Sequence, residues 1–143
     1  MSKRNKTKKR RIAEPQSQSS KIPREVTEAA VWDYSEEQVV FSFKSCDTRQ
    51  YQLRELTREQ LACLENTLVK MSKMKWKDIP GDHGLDYGPV TNPSNLRATI
   101  PQCVPPDCRL DYFDTSQKIR IFGYRYKNVF YIVWFDKNHV IYP

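Results

Sequence analysis

The sequence predicts an α+β fold: a small antiparallel β-sheet with a C-terminal meander, packed against one main helix and preceded by a disordered basic tail. Three observations carry the prediction. Short runs rich in β-branched and aromatic residues gather at 39–54 and again over the last 35 residues, a single stretch of helical periodicity lies between them, and a Pro-rich connection separates helix from meander. Strands and helices therefore do not alternate as they would in a parallel βαβ protein. At 143 residues the chain can bury one modest core.

Residues 1–24 hold nine Lys/Arg and one Glu, a net +8, whereas the whole chain is +7, so residues 25–143 come to −1. The only sizeable apolar residues of this stretch beyond Met1 are Ile12 and Ile22, too few to offset the entropy of ordering it, and we read a disordered basic tail followed by a single domain over 25–143. Val31, Trp32 and Tyr34 are expected to pack on that domain. Val39, Phe41 and Phe43 alternate with smaller or polar residues up to Lys44, and Tyr51 to Arg54 alternate again, which is a hairpin pattern. Thr57-Arg58-Glu59-Gln60 has the form of a capping box, in which the Thr hydroxyl and the Gln amide satisfy backbone N–H groups of a first helical turn. Leu61, Leu64, Leu68 and Met71 follow at three- and four-residue steps, so a helix over about 57–74 should lay one apolar stripe on the sheet. Lys70, Lys73, Lys75 and Lys77 crowd its carbonyl-rich end, where cations are favoured.

Between Pro80 and Asp107, six prolines and three glycines exclude a long helix or a regular central strand, and a connection of this length is commonly functional or mobile. Strands are then expected from Arg109, from Lys118 to Tyr126, from Val129 to Phe135 and from His139 to Tyr142. No stretch has the roughly 20 apolar residues of a membrane span, and the basic start is followed by Glu-Pro-Gln-Ser rather than an apolar signal segment. Cys46, Cys63, Cys103 and Cys108 lack paired Cys-x-x-Cys spacing, so reduced thiols in a cytoplasmic protein without membrane partners are expected.

The last 35 residues hold ten of the 17 aromatics. Strand alternation sets Ile119 and Ile121 on one face, with Arg120, Phe122, Tyr124 and Tyr126 on the other. Arg120 is thus either a sheet-surface residue stacked on Phe122 or Tyr124 or a phosphate ligand using its planar fork, the spacing favouring the first. His139 falls at a turn, where it is either a proton-transfer group or a histidine bonded to backbone, and Tyr142 follows it. His83 is an alternative acid or base on a loop. A zinc site from Cys103, Cys108, His83 and His139 is disfavoured by Pro105-Pro106 and by remote histidines, and neither Asp82/Asp86 nor Asp107/Asp111/Asp114 has a recognised ligand spacing. Phosphate-cradling Gly loops, Gly-x-Ser-x-Gly and His-Glu-x-x-His are absent, which removes nucleotide-dependent, serine-hydrolase and zinc-protease readings.

The stretch from Lys118 to Pro143, KIRIFGYRYKNVFYIVWFDKNHVIYP, resembles the C-terminal half of bacterial toxins of the RelE/ParE superfamily, with Trp76-Lys77-Asp78-Ile79 a weaker point of likeness. Arg120 matches the arginine of the strand, His139 the residue after the last turn and Tyr142 the terminal tyrosine. The hairpin before the helix, the basic tail and the long Pro-rich loop depart from the family pattern, so only these three residues are carried over. The resemblance implies a metal-independent endoribonuclease without cofactor, which cleaves mRNA, often at the ribosome, and is held inactive by a cognate antitoxin protein. Arg120 would stabilise phosphate charge, His139 act as base or acid, and Tyr142 stack on a base or position the phosphate. Two other readings stand beside it: a non-catalytic RNA- or protein-binding module using the aromatic sheet and the tail, and a ParE-like protein that binds gyrase.

Overall fold

The computed structural model describes residues 33–116 and 119–143. The expected basic tail and the packing of Val31 and Trp32 lie outside the described residues. Five strands and one main helix make an α+β fold: β1 (Val40–Ser42), α1 (Arg58–Ser72), β2 (Gly88–Pro89), β3 (Leu110–Asp114), β4 (Arg120–Tyr126) and β5 (Val129–Asp136). The sheet order is β1-β5-β4-β3-β2. From β2 to β5 all pairings are antiparallel, but β1 runs parallel to β5, with Val40 opposite Val129 and Ser42 opposite Tyr131. The sheet is therefore mixed, which corrects the wholly antiparallel expectation.

The same region corrects the hairpin. Only β1 is a strand, and Leu53–Glu55 forms a 3-10 turn instead of returning along it. A three-residue β1 leaves the rest of the β5 edge unpaired, and the chain fills that edge by continuing along it. Asp47 donates its N–H to the Val133 carbonyl at 3.0 Å, and the Phe135 N–H reaches the Tyr51 carbonyl at 2.8 Å. A hairpin would have left these buried backbone groups without partners.

The capping box forms as read: Gln60 N–H donates to the Thr57 hydroxyl, and Thr57 N–H donates to the Gln60 amide oxygen. The helix is shorter than the expected 57–74. Leu64 and Met71 are buried, Leu68 is partly buried and Leu61 sits at the rim. This stripe covers one face of the sheet, where it joins Phe113, Ile119, Ile121, Phe130 and Ile132. Lysines in the last turn of the helix and just beyond it are held in ion pairs: Lys70 with Asp82 at 2.7 Å, and Lys75 and Lys77 with Glu36 at 3.0 and 2.8 Å.

The other sheet face is also buried. Leu110, Phe122, Tyr124, Val133 and Trp134 pack beneath Val90, Leu96, Ala98, Val104 and Cys108 of the Pro-rich connection. That connection is thus a second packing layer with little regular structure, a 3-10 turn at Pro93–Asn95 and the strand β2, which occupies the sheet edge, where Pro89 forfeits least. The register between β4 and β5 shifts at Phe122/Gly123, where Gly123 faces Ile132 while Phe122 faces Trp134. This bulge lets the consecutive residues Val133 and Trp134 both join the loop-covered core. The fourth C-terminal strand does not form. After β5 the chain turns through His139, at φ 53°, and is pinned by Ile141 N–H to the Asp136 carboxylate at 2.8 Å and by Arg97 N–H to the Ile141 carbonyl at 2.8 Å. Asp136 is itself buried, and satisfying it draws the chain off the sheet.

Candidate functional site

Arg120 opens β4 and projects onto the loop-covered face, as alternation requires. Its Nε donates to Asp114 Oδ1 at 2.8 Å and its second guanidine nitrogen to Oδ2 at 3.1 Å, while Asp86 lies 3.8 Å away. The bond to Asp114 raises the arginine's pKa still further, so its charge is permanent and already matched. The guanidinium lies 4.2 Å from the centre of the Tyr112 ring, not over Phe122 or Tyr124 as the spacing suggested. Tyr142 packs on the same Tyr112 ring from 6.3 Å, and its hydroxyl is tied to the loop through Thr91 at 3.2 Å and the Asn92 N–H at 3.3 Å. These bonds lower its pKa. His139 is half-buried in the turn, and its Nε2 is shielded from solvent without a hydrogen-bond partner among the described residues. Arg120 and Tyr142 are therefore joined through Tyr112, but no hydrogen bond or ion pair links either to His139 among the described residues.

The remaining candidates are spread apart. His83 is exposed, and its neighbour Asp82 is engaged by Lys70, whose bond pulls the carboxyl below its usual range. Asp111 is buried between Arg109 and the Tyr87 hydroxyl, and burial with that carboxylate beside it pushes the Tyr87 phenol far up. The described residues contain no cluster of three or more metal-ligating side chains, and the four cysteines are unpaired.

The other end of the same face carries a feature the sequence reading did not single out. Tyr124 of β4 and Tyr131 of β5 stack in parallel, with centroids 4.9 Å apart and planes at 8°. With Tyr126, Lys44, Ser45, Cys103, Pro105, Asp107 and Cys108 they line a cavity of about 370 Å³, within the range of small-ligand sites. Tyr126 is 58% exposed, and Lys127 approaches its ring at 5.4 Å. At the floor the buried Ser45 hydroxyl meets the Tyr124 hydroxyl at 2.6 Å. Cys103 donates to the Ser45 carbonyl at 3.7 Å, closing the loop over the cavity. Nearby, burial first and then Cys103 and Asp47 push the Cys46 thiol up to about 11, which keeps it neutral. Alternation along β4 sets Tyr124 and Tyr126 on one face, and only the β4–β5 pairing brings Tyr131 opposite Tyr124. The partners Ser45, Asp107 and Cys103 come from segments without periodic signal.

Fold and site together define an α+β protein with a sheet buried on both faces and a tyrosine-walled cavity where the covering loop ends. No protein-family model, curated protein or solved structure matches the chain.

Proposed function

We propose that the protein binds single-stranded RNA, with the tyrosine-walled cavity as the seat of an unstacked base. One observation carries the reading: exposed Tyr126 shares a cavity with the parallel Tyr124/Tyr131 pair, and Lys44 lines it. The exposed Tyr126 ring with a cation in the same cavity meets the two needs of an unstacked nucleotide, a π-face for its base and a charge for its phosphate. The +8 of residues 1–24 adds attraction to the backbone that is independent of sequence. Titration of the full chain with a labelled mixed-sequence RNA, followed by fluorescence anisotropy, tests it. Tyr126→Ala is expected to weaken binding roughly ten- to a hundredfold with an unchanged melting temperature; unaltered affinity removes the reading.

A second reading is the metal-independent endoribonuclease of a toxin–antitoxin system, acting on mRNA. It is favoured by the shared Tyr112 ring between Arg120 and Tyr142 and by the unpartnered Nε2 of His139. In this reading Arg120 exchanges Asp114 for a phosphate oxygen, and His139 moves the proton of the 2′-hydroxyl or of the leaving oxygen. RNA cleavage that persists in EDTA and is lost in both His139→Gln and Arg120→Ala supports it. Intact RNA with the wild-type protein excludes it.

A further inference from the structure

We infer that the tyrosine-walled cavity selects guanine, and that Asp107 is the residue that reads it; the inference rests on the RNA-binding reading and narrows it to one base. Carboxylates on this side of the molecule are otherwise engaged: Asp47 accepts the Trp134 indole N–H at 2.9 Å, Asp114 holds Arg120, and Asp136 holds the Ile141 N–H. Asp107 lines the cavity, is exposed, and has no hydrogen bond or ion pair among the described residues. Lys44 lines it too, and its ammonium is likewise unengaged among the described residues. The cavity lining therefore presents an acceptor group and a cation, both without partners among the described residues, beside aromatic walls.

An ionised carboxylate offers only acceptors, on two adjacent oxygens. Guanine alone among the RNA bases carries two adjacent donors, N1–H and N2–H, on one edge. Adenine and cytosine each set a ring lone pair beside their amino group, and uracil sets its single N3–H between two carbonyl oxygens. Either arrangement turns a lone pair toward the carboxylate. At the floor, the bond between Ser45 and Tyr124 uses one hydroxyl proton and leaves the other for an acceptor, such as those guanine carries at O6 and N7. Lys44 completes the match by taking the phosphate. The ligand class is thus a guanine nucleotide, free or within a strand.

Calorimetric titration of the full chain with GMP, AMP, CMP, UMP and guanosine, together with oligouridine 12-mers with and without one central guanine, decides the matter. Guanine is expected to bind at least about tenfold more tightly than the other bases. Asp107→Asn should abolish that preference with an unchanged melting temperature, and Lys44→Ala should make GMP bind no better than guanosine. A preference with GMP assigns the free nucleotide, and one confined to the 12-mers assigns the strand; both support guanine selection. Equal binding of all four bases, or a preference that survives Asp107→Asn, overturns it while leaving RNA binding in place. Failure of both 12-mers to bind overturns the RNA-binding reading instead.

Discussion

Arg120 shows how one side chain carries different meanings at different levels. Its position on the strand, facing aromatic rings, follows from alternation in the sequence. Its partner does not, because Asp114 ends a different strand and meets it only through the β3–β4 register. Each side chain of the pair is 15% exposed, so removing one leaves the other charge poorly solvated. Arg120→Ala is expected to cost about 2 kcal/mol in urea unfolding, and Asp114→Ala a similar amount, with the double variant less than additive. Loss of function in Arg120→Ala must therefore be read against its stability. Asp47 gives a pH signature. Burial pushes its carboxyl up, but the Trp134 indole and the Arg49 backbone N–H outweigh that and hold it below its ordinary value. Its folded pKa is then lower than its unfolded one, so it contributes stability above the unfolded value and loses it as pH falls through the folded one. Asp47→Asn should be less stable at neutral pH by about 1 kcal/mol and should unfold with a flatter acid dependence below about pH 4; a wild-type acid profile would show that the carboxylate contributes nothing.

Among elements, α1 and the three C-terminal strands were legible because their signals are local. The Thr57/Gln60 box spans three residues, and the Leu64/Leu68/Met71 stripe repeats within one helix. The parallel pairing of β1 was not legible, since alternation in Val39 to Phe43 is equally suited to either strand direction. Nor was the bulge, although its glycine was in view. A Cβ at Gly123 would collide with the Phe130 ring and with the backbone carbonyl oxygen of Tyr131, and the carbonyl cannot withdraw without opening β4 from β5. Gly123→Ala is accordingly expected to cost about 1 to 3 kcal/mol and to lower the denaturant midpoint without changing its slope. A wild-type midpoint would mean that the bulge absorbs the methyl group.

At the scale of the whole molecule, charge and chemistry are divided between different parts of the chain. The excess of positive charge lies in residues 1–24, while the two candidate sites lie at opposite ends of β4. Arg120 and Tyr126 are six residues apart, roughly 20 Å along an extended strand, so one base cannot engage both. Deleting residues 1–24 should reduce RNA affinity about tenfold at low salt and flatten its salt dependence by at least about one unit of slope, with the guanine preference kept; an unaltered slope would mean that the tail plays no part in RNA binding. The sequence by itself determined the α+β class, the capped helix, the three C-terminal strands and the faces of the β4 side chains, because periodicity and capping act over a few residues. Tertiary structure alone decided that β1 joins β5 in parallel, that the Pro-rich loop covers the second face, that Arg120 is matched by Asp114, and that a cavity opens beside Tyr126. Those outcomes depend on groups such as Ser45 with Tyr124 and Asp47 with Trp134, which are 79 and 87 residues apart. Which distant groups meet is settled by burying both sheet faces while satisfying every polar group they carry, a condition on the whole chain that no local pattern records.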